Sequence, residues 1–378
     1  DLSHTELVWF RWWQFPRLLS RLFTSAPLFF RFRETLREEI EIGGLSPKSA
    51  VPSSSSADDR QSEIRNQKSE IPLVHLNSST LAVAALAARS LGLPVVWHIR
   101  EPLARGYLGF RRALLRATVR RCSDAVIAIC ENDAAQLGPR LTPFLMEGHA
   151  SSCPSASNSC THRPPLHVIH NFVDFTQFDA TRPKGALRKD LGIPEESPIL
   201  LFLGGSALTK GAGILIEAAS QILSRTADAH LVVAGESVPE FTTTWIHGVA
   251  AGLRRRVHLL GVRMDVPALL ADTALLLFPS TVPHFARPVI EAAAMGVPCV
   301  ASDLGGVREL ILPGETGVLV RAGDSVLLAD TVVALLADPA HRQAMGRKAL
   351  ALARERFDAK KNAARTFAVY EELSPAPM

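Results

Sequence analysis

The sequence predicts an α/β protein built on doubly wound parallel sheets. Three observations carry that prediction. From residue 73 onward, short apolar runs alternate with stretches of helical periodicity, the rhythm of strand–helix–strand units. The apolar runs are near-continuous rather than alternating, as in strands covered on both faces. The chain has 378 residues, a length suited to two domains at roughly 100–200 residues each.

The elements follow in order. Residues 7–42 are aromatic and basic, with Trp9, Phe10, Trp12, Trp13 and Phe15 and then Phe23, Phe29, Phe30 and Phe32. Their spacing is closer to helical than alternating, broken at Pro16 and Pro27. Residues 46–72 hold the run Ser53-Ser54-Ser55-Ser56 and little apolar periodicity, so a disordered insertion or linker is expected. Residues 73–76 read as a strand, followed by an Ala/Leu-rich helix to Leu91 that Gly92 ends. A strand over 94–98, a basic helix near 110–122 and a strand over 124–129 come next. A second polar insertion covers about 148–165. From 166 the rhythm is clean, with strands at 168–169, 199–203, 230–234, 257–260, 274–278, 299–301 and 317–320. The tail, 338–373, reads as two helices, the second near 359–372. The domains expected are 1–165, 166–358, and a helix in 359–378 that returns to the first domain.

Composition excludes several classes. Lys and Arg number 41 against 37 Asp and Glu, for a net charge of +4, too little to argue for nucleic acid. The five cysteines, Cys122, Cys130, Cys153, Cys160 and Cys299, form no CxxC or Cys/His metal spacing, so a reduced cytoplasmic setting is expected. No long uncharged apolar run predicts a membrane span. The sequence begins with Asp1, not Met, which suits a processed product or a fragment. Between 100 and 121 lie Arg100, Arg105, Arg111, Arg112, Arg116, Arg120 and Arg121 against the single acid Glu101. Arg112, Arg116 and Arg120 share one helical face. With the aromatic block at 9–32, this reads either as peripheral contact with an anionic membrane at its inner face or as an ordinary solvated helix.

Doubly wound sheets bind ligands at the carboxyl ends of their strands, and two segments there carry chemistry. The first is Gly204-Gly205-Ser206-Ala207-Leu208-Thr209-Lys210-Gly211, leading into a helix. Small residues let amides approach an anion, the helix start adds positive partial charge, and Lys210 adds a full one. The alternative is a tight turn with a solvated lysine. The second runs from Phe278 through Pro283, His284, Phe285 and Ala286 to Glu291 and Gly296-Val297-Pro298. Glu291, one turn inside a helix, can accept both hydroxyls of a ribose, or it is a solvated acid at a helix start.

These two segments, with Asn171-Phe172-Val173-Asp174, Val233-Ala234-Gly235-Glu236, Gly305-Gly306-Val307-Arg308-Glu309 and Gly314-Glu315-Thr316-Gly317, resemble the retaining glycosyltransferases of family 4. The resemblance spans about 168–338, and more loosely 73–137. It implies the GT-B fold, two Rossmann-like domains facing a cleft, and transfer of a sugar from a nucleotide-diphosphate sugar to a glycan or lipid-linked acceptor. Carried over by position, Gly204, Gly205, Lys210, Phe285 and Ala286 would hold the donor diphosphate, and Glu291 the ribose. Gly235, Glu236 and Val262 would border the base. His98, at the end of the 94–98 strand, would stand beside the donor sugar as a catalytic residue, or else pack locally. The donor would be a UDP-sugar or GDP-sugar, with no cofactor and no metal.

Three departures mark this chain. The family's first paired carboxylate falls on Pro283, an arginine common after the first loop glycine is Gly205, and no Gly-rich strand and loop precedes residue 73. The first domain therefore reads as incomplete, and impaired turnover is expected. Two other readings remain at this stage: a non-catalytic nucleotide-sugar-binding transferase relative, and a GT-B nucleotide-sugar epimerase.

Overall fold

A computed structural model describes residues 27–35, 37, 73–103, 109–138 and 164–373. The insertion expected at 46–72 lies outside them, as do all but the last two residues of that expected at 148–165 and the aromatic residues from Trp9 to Phe23. Residues 27–35 are helical. The described residues divide into two units. The first takes those up to Ala128, those from Gln136 to His167 and those from Phe367 onward. The second takes Ile129–Ala135 and Val168–Thr366.

The first unit is built on a four-stranded sheet in the order β1-β2-β3-β4, formed by β1 (Val74–Leu76), β2 (Val95–Ile99), β3 (Ala125–Ala128) and β4 (Leu166–Val168). The β1–β2 and β2–β3 pairs are parallel. Helices α1 (Ala82–Ser90) and α2 (Phe110–Cys122) connect them. In α1, Ala84, Ala85, Ala87 and Ala88 are buried, so small side chains let the helix lie close to the sheet. The Trp97 indole, fully buried, donates to Ser78 O at 2.8 Å, as a buried ring N–H must.

The arginine row on α2 turns inward. Arg112 donates to Leu103 O at 3.0 and 2.9 Å, Arg116 to Gln136 O, and Arg120 to Leu137 O at 2.7 Å. These guanidinium groups satisfy the carbonyl of Leu103 and those at the end of the helix over 131–136, where no backbone donor of the helix follows. The cationic face read from the i, i+4, i+8 spacing is therefore not a free surface, and the spacing no longer argues for a membrane.

After α3 (Glu131–Gln136), the second unit holds a six-stranded parallel sheet in the order β10-β9-β8-β5-β6-β7. The strands are β5 (Ile199–Phe202), β6 (His230–Ala234), β7 (Val257–Gly261), β8 (Thr273–Phe278), β9 (Cys299–Ser302) and β10 (Gly317–Val320). Helices α4 (Ala186–Leu191), α5 (Ala212–Arg225), α6 (Pro239–Gly248), α7 (Val266–Ala271), α8 (Arg287–Ala294), α9 (Ser325–Ala337) and α10 (Pro339–Arg356) alternate with them. Helix α11 (Ala359–Leu373) follows and passes from the second unit into the first at Phe367.

The continuous apolar strands have the predicted cause. Ile199, Leu201, Val232 and Leu276 pack in one core with Val289 and Ala349, while Leu200, Phe202, Leu231 and Leu277 pack in another with Leu215 and Val332. Neighbouring residues of a strand point to opposite faces, so both faces need apolar side chains. One acid completes this packing. Asp272 is buried and accepts the amides of Gly185 at 2.6 Å and Leu187 at 2.9 Å, which start α4. Among the described residues, no helix is long and apolar enough to cross a membrane.

Candidate active site

The order of the six-stranded sheet reverses direction between β5 and β8: the chain builds β6 and β7 on one side of β5, then β8, β9 and β10 on the other. That switch point separates the loops at the strand ends and leaves a crevice there. The two segments singled out in the sequence follow these two strands.

They are fastened to each other. Thr281 N donates to Thr209 O at 3.1 Å, and the Ser280 hydroxyl to the same carbonyl at 2.9 Å. Gly211, at φ +88°, faces Pro279 so closely that a Cβ would drive into the Pro279 carbonyl. A glycine is required there by both backbone conformation and space. The turn Leu208–Lys210 is 3-10 helical and runs directly into α5.

Gly204 and Gly205 lean on the end of β6. Gly205 N donates to Ala234 O at 3.1 Å and Ser206 N to Glu236 O at 2.8 Å. Gly205 has φ +52°, and a Cβ on it would collide with the Glu236 carbonyl. Any side chain is excluded in this backbone, so the glycine in place of an arginine is part of how the loop closes. The Gly205 amide, one of the expected phosphate donors, is engaged by Ala234. Gly235 and Glu236 thus meet the Gly204–Gly205 turn as one layer. Val262, past the end of β7, is exposed.

Lys210 is half-buried, and burial lowers its pKa from the ordinary lysine value. Its Nζ lies 3.0 Å from His284 Nε2. Sequence reasoning did not single out His284; its place directly after Pro283, within the carried-over motif, was the available signal. The Phe285 ring is buried and stacks on His170 at 5.8 Å and 22°. Among the described residues, the amides of Phe285 and Ala286 donate to no backbone carbonyl. Ala286 is the N-cap of α8 and Phe285 the residue before it, so these two amides stand at the positive end of the helix.

Glu291 is 7% exposed. Its Oε1 accepts Arg287 Nε at 2.9 Å, an i, i+4 pair in which Arg287 is largely exposed. A carboxylate has about four lone-pair sites, so Glu291 keeps acceptor capacity beyond this bond. A second acid, Glu309, steadies the same region. It accepts Glu131 N at 2.8 Å and Asn132 N at 2.9 Å and lies 3.5 Å from His170 Nε2. Burial raises its pKa, but His170 and the two amides outweigh that and hold it below the ordinary glutamate value.

His98 belongs to the first unit. Burial, then His75, then Arg100 lower its pKa to about 3. Its ring stands edge to face with His75 at 5.4 Å, and His75 Nδ1 is 2.7 Å from the Tyr370 hydroxyl. Nε2 of His98 is buried without a hydrogen-bond partner among the described residues. It is a neutral imidazole, able to give or take one hydrogen bond.

These values fix a pH response. A histidine kept neutral in the fold but free to protonate when unfolded loses stability as pH falls below about 6.5. His98, at about 3, and His230, lowered to about 4 chiefly by burial and then by His258, both act this way. The melting temperature should fall as pH drops from 7 toward 4.5, and less steeply in His98→Gln. Parallel curves for the two proteins would contradict this account.

Among the described residues, no group of three His, Cys, Asp or Glu side chains converges as metal ligands would. The family model described as "Glycosyl transferases group 1" matches residues 183–351. These residues form a glycosyl transferases group 1 domain. All the expected donor residues except His98 lie within this transferase domain. The chain is 30% identical over 208 residues to N-acetyl-alpha-D-glucosaminyl L-malate synthase of Bacillus anthracis, covering 55% of this chain and 54% of that protein. It is 32% identical over 281 residues to D-inositol 3-phosphate glycosyltransferase 1 of Catenulispora acidiphila, covering 71% and 64%. It spans about half the length of the first of these relatives. Among solved structures, it is similar to Anabaena HepE in complex with UDP, with TM-score 0.66, 22% identity and coverage of 82% and 81%. It is also similar to sucrose-phosphate synthase from Thermosynechococcus elongatus, with TM-score 0.64, 21% identity and coverage of 83% and 76%. Around the transferase domain, the fold is α/β GT-B, with two Rossmann-like domains on parallel sheets.

Proposed function

We propose that this protein is a glycosyltransferase of the family 4 type. It moves a sugar from a UDP- or GDP-sugar to a glycan or lipid-linked acceptor, with retention at the anomeric carbon. The observation that carries the reading is the pair of fastened loops at the β5/β8 switch point. They present Lys210 beside two helix starts, with the buried acid Glu291 one turn into α8.

In this reading, Lys210 and the amides of Phe285 and Ala286 bind the diphosphate. Charge grows on that group as the bond to the sugar breaks, and fixed donors aimed at it stabilise the transition state without reorganising. Glu291 accepts the ribose hydroxyls, and Arg287 fixes its rotamer. Gly235, Glu236 and Val262 border the base. The family resemblance would give His98 a place beside the sugar, and a neutral imidazole there would offer a hydrogen bond rather than a charge. Retention is supported by the family resemblance alone.

A second reading, a donor-binding protein with little turnover, is favoured by Pro283. It stands where the resemblance places a carboxylate, and its side chain accepts no hydrogen bond. Nucleotide release from a panel of UDP- and GDP-sugars, with glycan and lipid-linked acceptors, tests both. Slow release coupled to product glycoside is expected. Tight binding with no product supports the second reading, and epimer formation without transfer rejects both.

A further inference from the structure

The Lys210–His284 contact has a definite hydrogen-bond order. His284 Nδ1 is 2.9 Å from Val282 O and 3.4 Å from the Ser280 hydroxyl. A carbonyl only accepts, so Nδ1 carries the proton. The lone pair of the neutral ring is then on Nε2, and it accepts from the Lys210 ammonium at 3.0 Å. The ring is held by its own loop and stands against Phe278 of β8 at 5.3 Å and 62°. Lys210, from the turn before α5, is the charged side chain facing it. Ser280, Val282 and Phe278 are neutral, and Arg287 and Glu291 on α8 pair with each other.

We propose that His284 is a second ligand of the donor diphosphate, orienting Lys210 and, once protonated, donating from Nε2 to a phosphate oxygen. This rests on the donor-site reading above. It follows from charge. A diphosphate against Lys210 brings negative charge to the face of the imidazole that now meets a cation. Burial and then the Lys210 charge hold the His284 pKa below the ordinary histidine value. A bound anion offsets the second of these and favours the imidazolium. Nε2 takes one proton from solvent, while Lys210 keeps its charge and turns its N–H from the ring to phosphate. The site then has two cations, although Gly205 leaves no room for one on the opposite loop.

The test is calorimetry of UDP-glucose and GDP-mannose binding to the whole chain. Their diphosphates are esterified at both ends, whereas free UDP and GDP carry a terminal phosphate that itself titrates near pH 6. Titrations in two buffers of different ionisation enthalpy count protons. The wild-type protein should take up a fraction of a proton at neutral pH. Its affinity should weaken from about pH 6 to pH 8, by at most about tenfold per unit for one linked proton. In His284→Gln the uptake should vanish, the pH dependence should flatten and the affinity at low pH should fall several-fold. Binding without proton uptake in the wild-type protein overturns the proposal, and that count stands even if the variant fails to fold. A folded His284→Gln with the same uptake and slope also overturns it. Absence of binding to either donor removes the donor-site reading itself, a different failure.

Discussion

Lys210→Ala is expected to lower the affinity for a nucleoside-diphosphate sugar by about 10- to 150-fold, the loss of one charge-assisted contact worth roughly 1.5–3 kcal/mol. Its place in the fold supports the upper part of that range. Lys210 is half-buried, and burial already opposes its charge. It is also pre-positioned by His284 at 3.0 Å, so little ordering remains to be done on binding. The measurement belongs at about pH 8, where protonation of the His284 imidazole is least favoured in both proteins. At lower pH, removing Lys210 also removes the charge that suppresses protonation of His284, and the ring recovers part of the loss. Glu291→Ala should weaken binding through the ribose by a similar order. Unchanged calorimetric affinity for both UDP- and GDP-sugars in both variants would remove the pocket assigned here.

Much of this architecture was legible in the sequence because its cause is local. Strands such as Ile199–Phe202 and Thr273–Phe278 declare themselves by apolar residues on both faces. The Lys210 loop and the Glu291 helix were legible by type and by place, since each follows a strand of a doubly wound sheet. What stayed hidden depends on partners distant in sequence. The i, i+4, i+8 arginines of α2 look like a solvent face, and no periodicity says that Leu103, Gln136 and Leu137 carbonyls receive them. Asp272 resembles any acid at a helix end until the amides of Gly185 and Leu187 fold over it. Gly205 read as a missing cation; the backbone of Glu236 explains why no side chain fits. The bond between Lys210 and His284 joins residues 74 positions apart.

Pro283→Glu is expected to raise the rate of sugar transfer by about 100- to 1,000-fold, the usual worth of one preorganised polar group in a transition state. Pro283 is exposed, so the substitution costs the fold little, as surface changes usually do. The loop around it is already fixed. Ser280 is tied to Thr209, and Phe285 is stacked on His170, so a carboxylate at 283 would be presented from a rigid base. It would also lie next to His284, whose protonation a neighbouring negative charge favours. Donor affinity at neutral pH should still change far less than turnover, since the new group acts where charge develops on the sugar rather than on the diphosphate. A gain in product formation with nearly constant donor affinity is the signature of an interaction made in the transition state alone. Equal gains in binding and rate would instead assign the carboxylate to the ground state. No gain in a variant that binds donor normally would show that Pro283 is not what limits turnover, and the limit would have to be sought in His98 and the first unit.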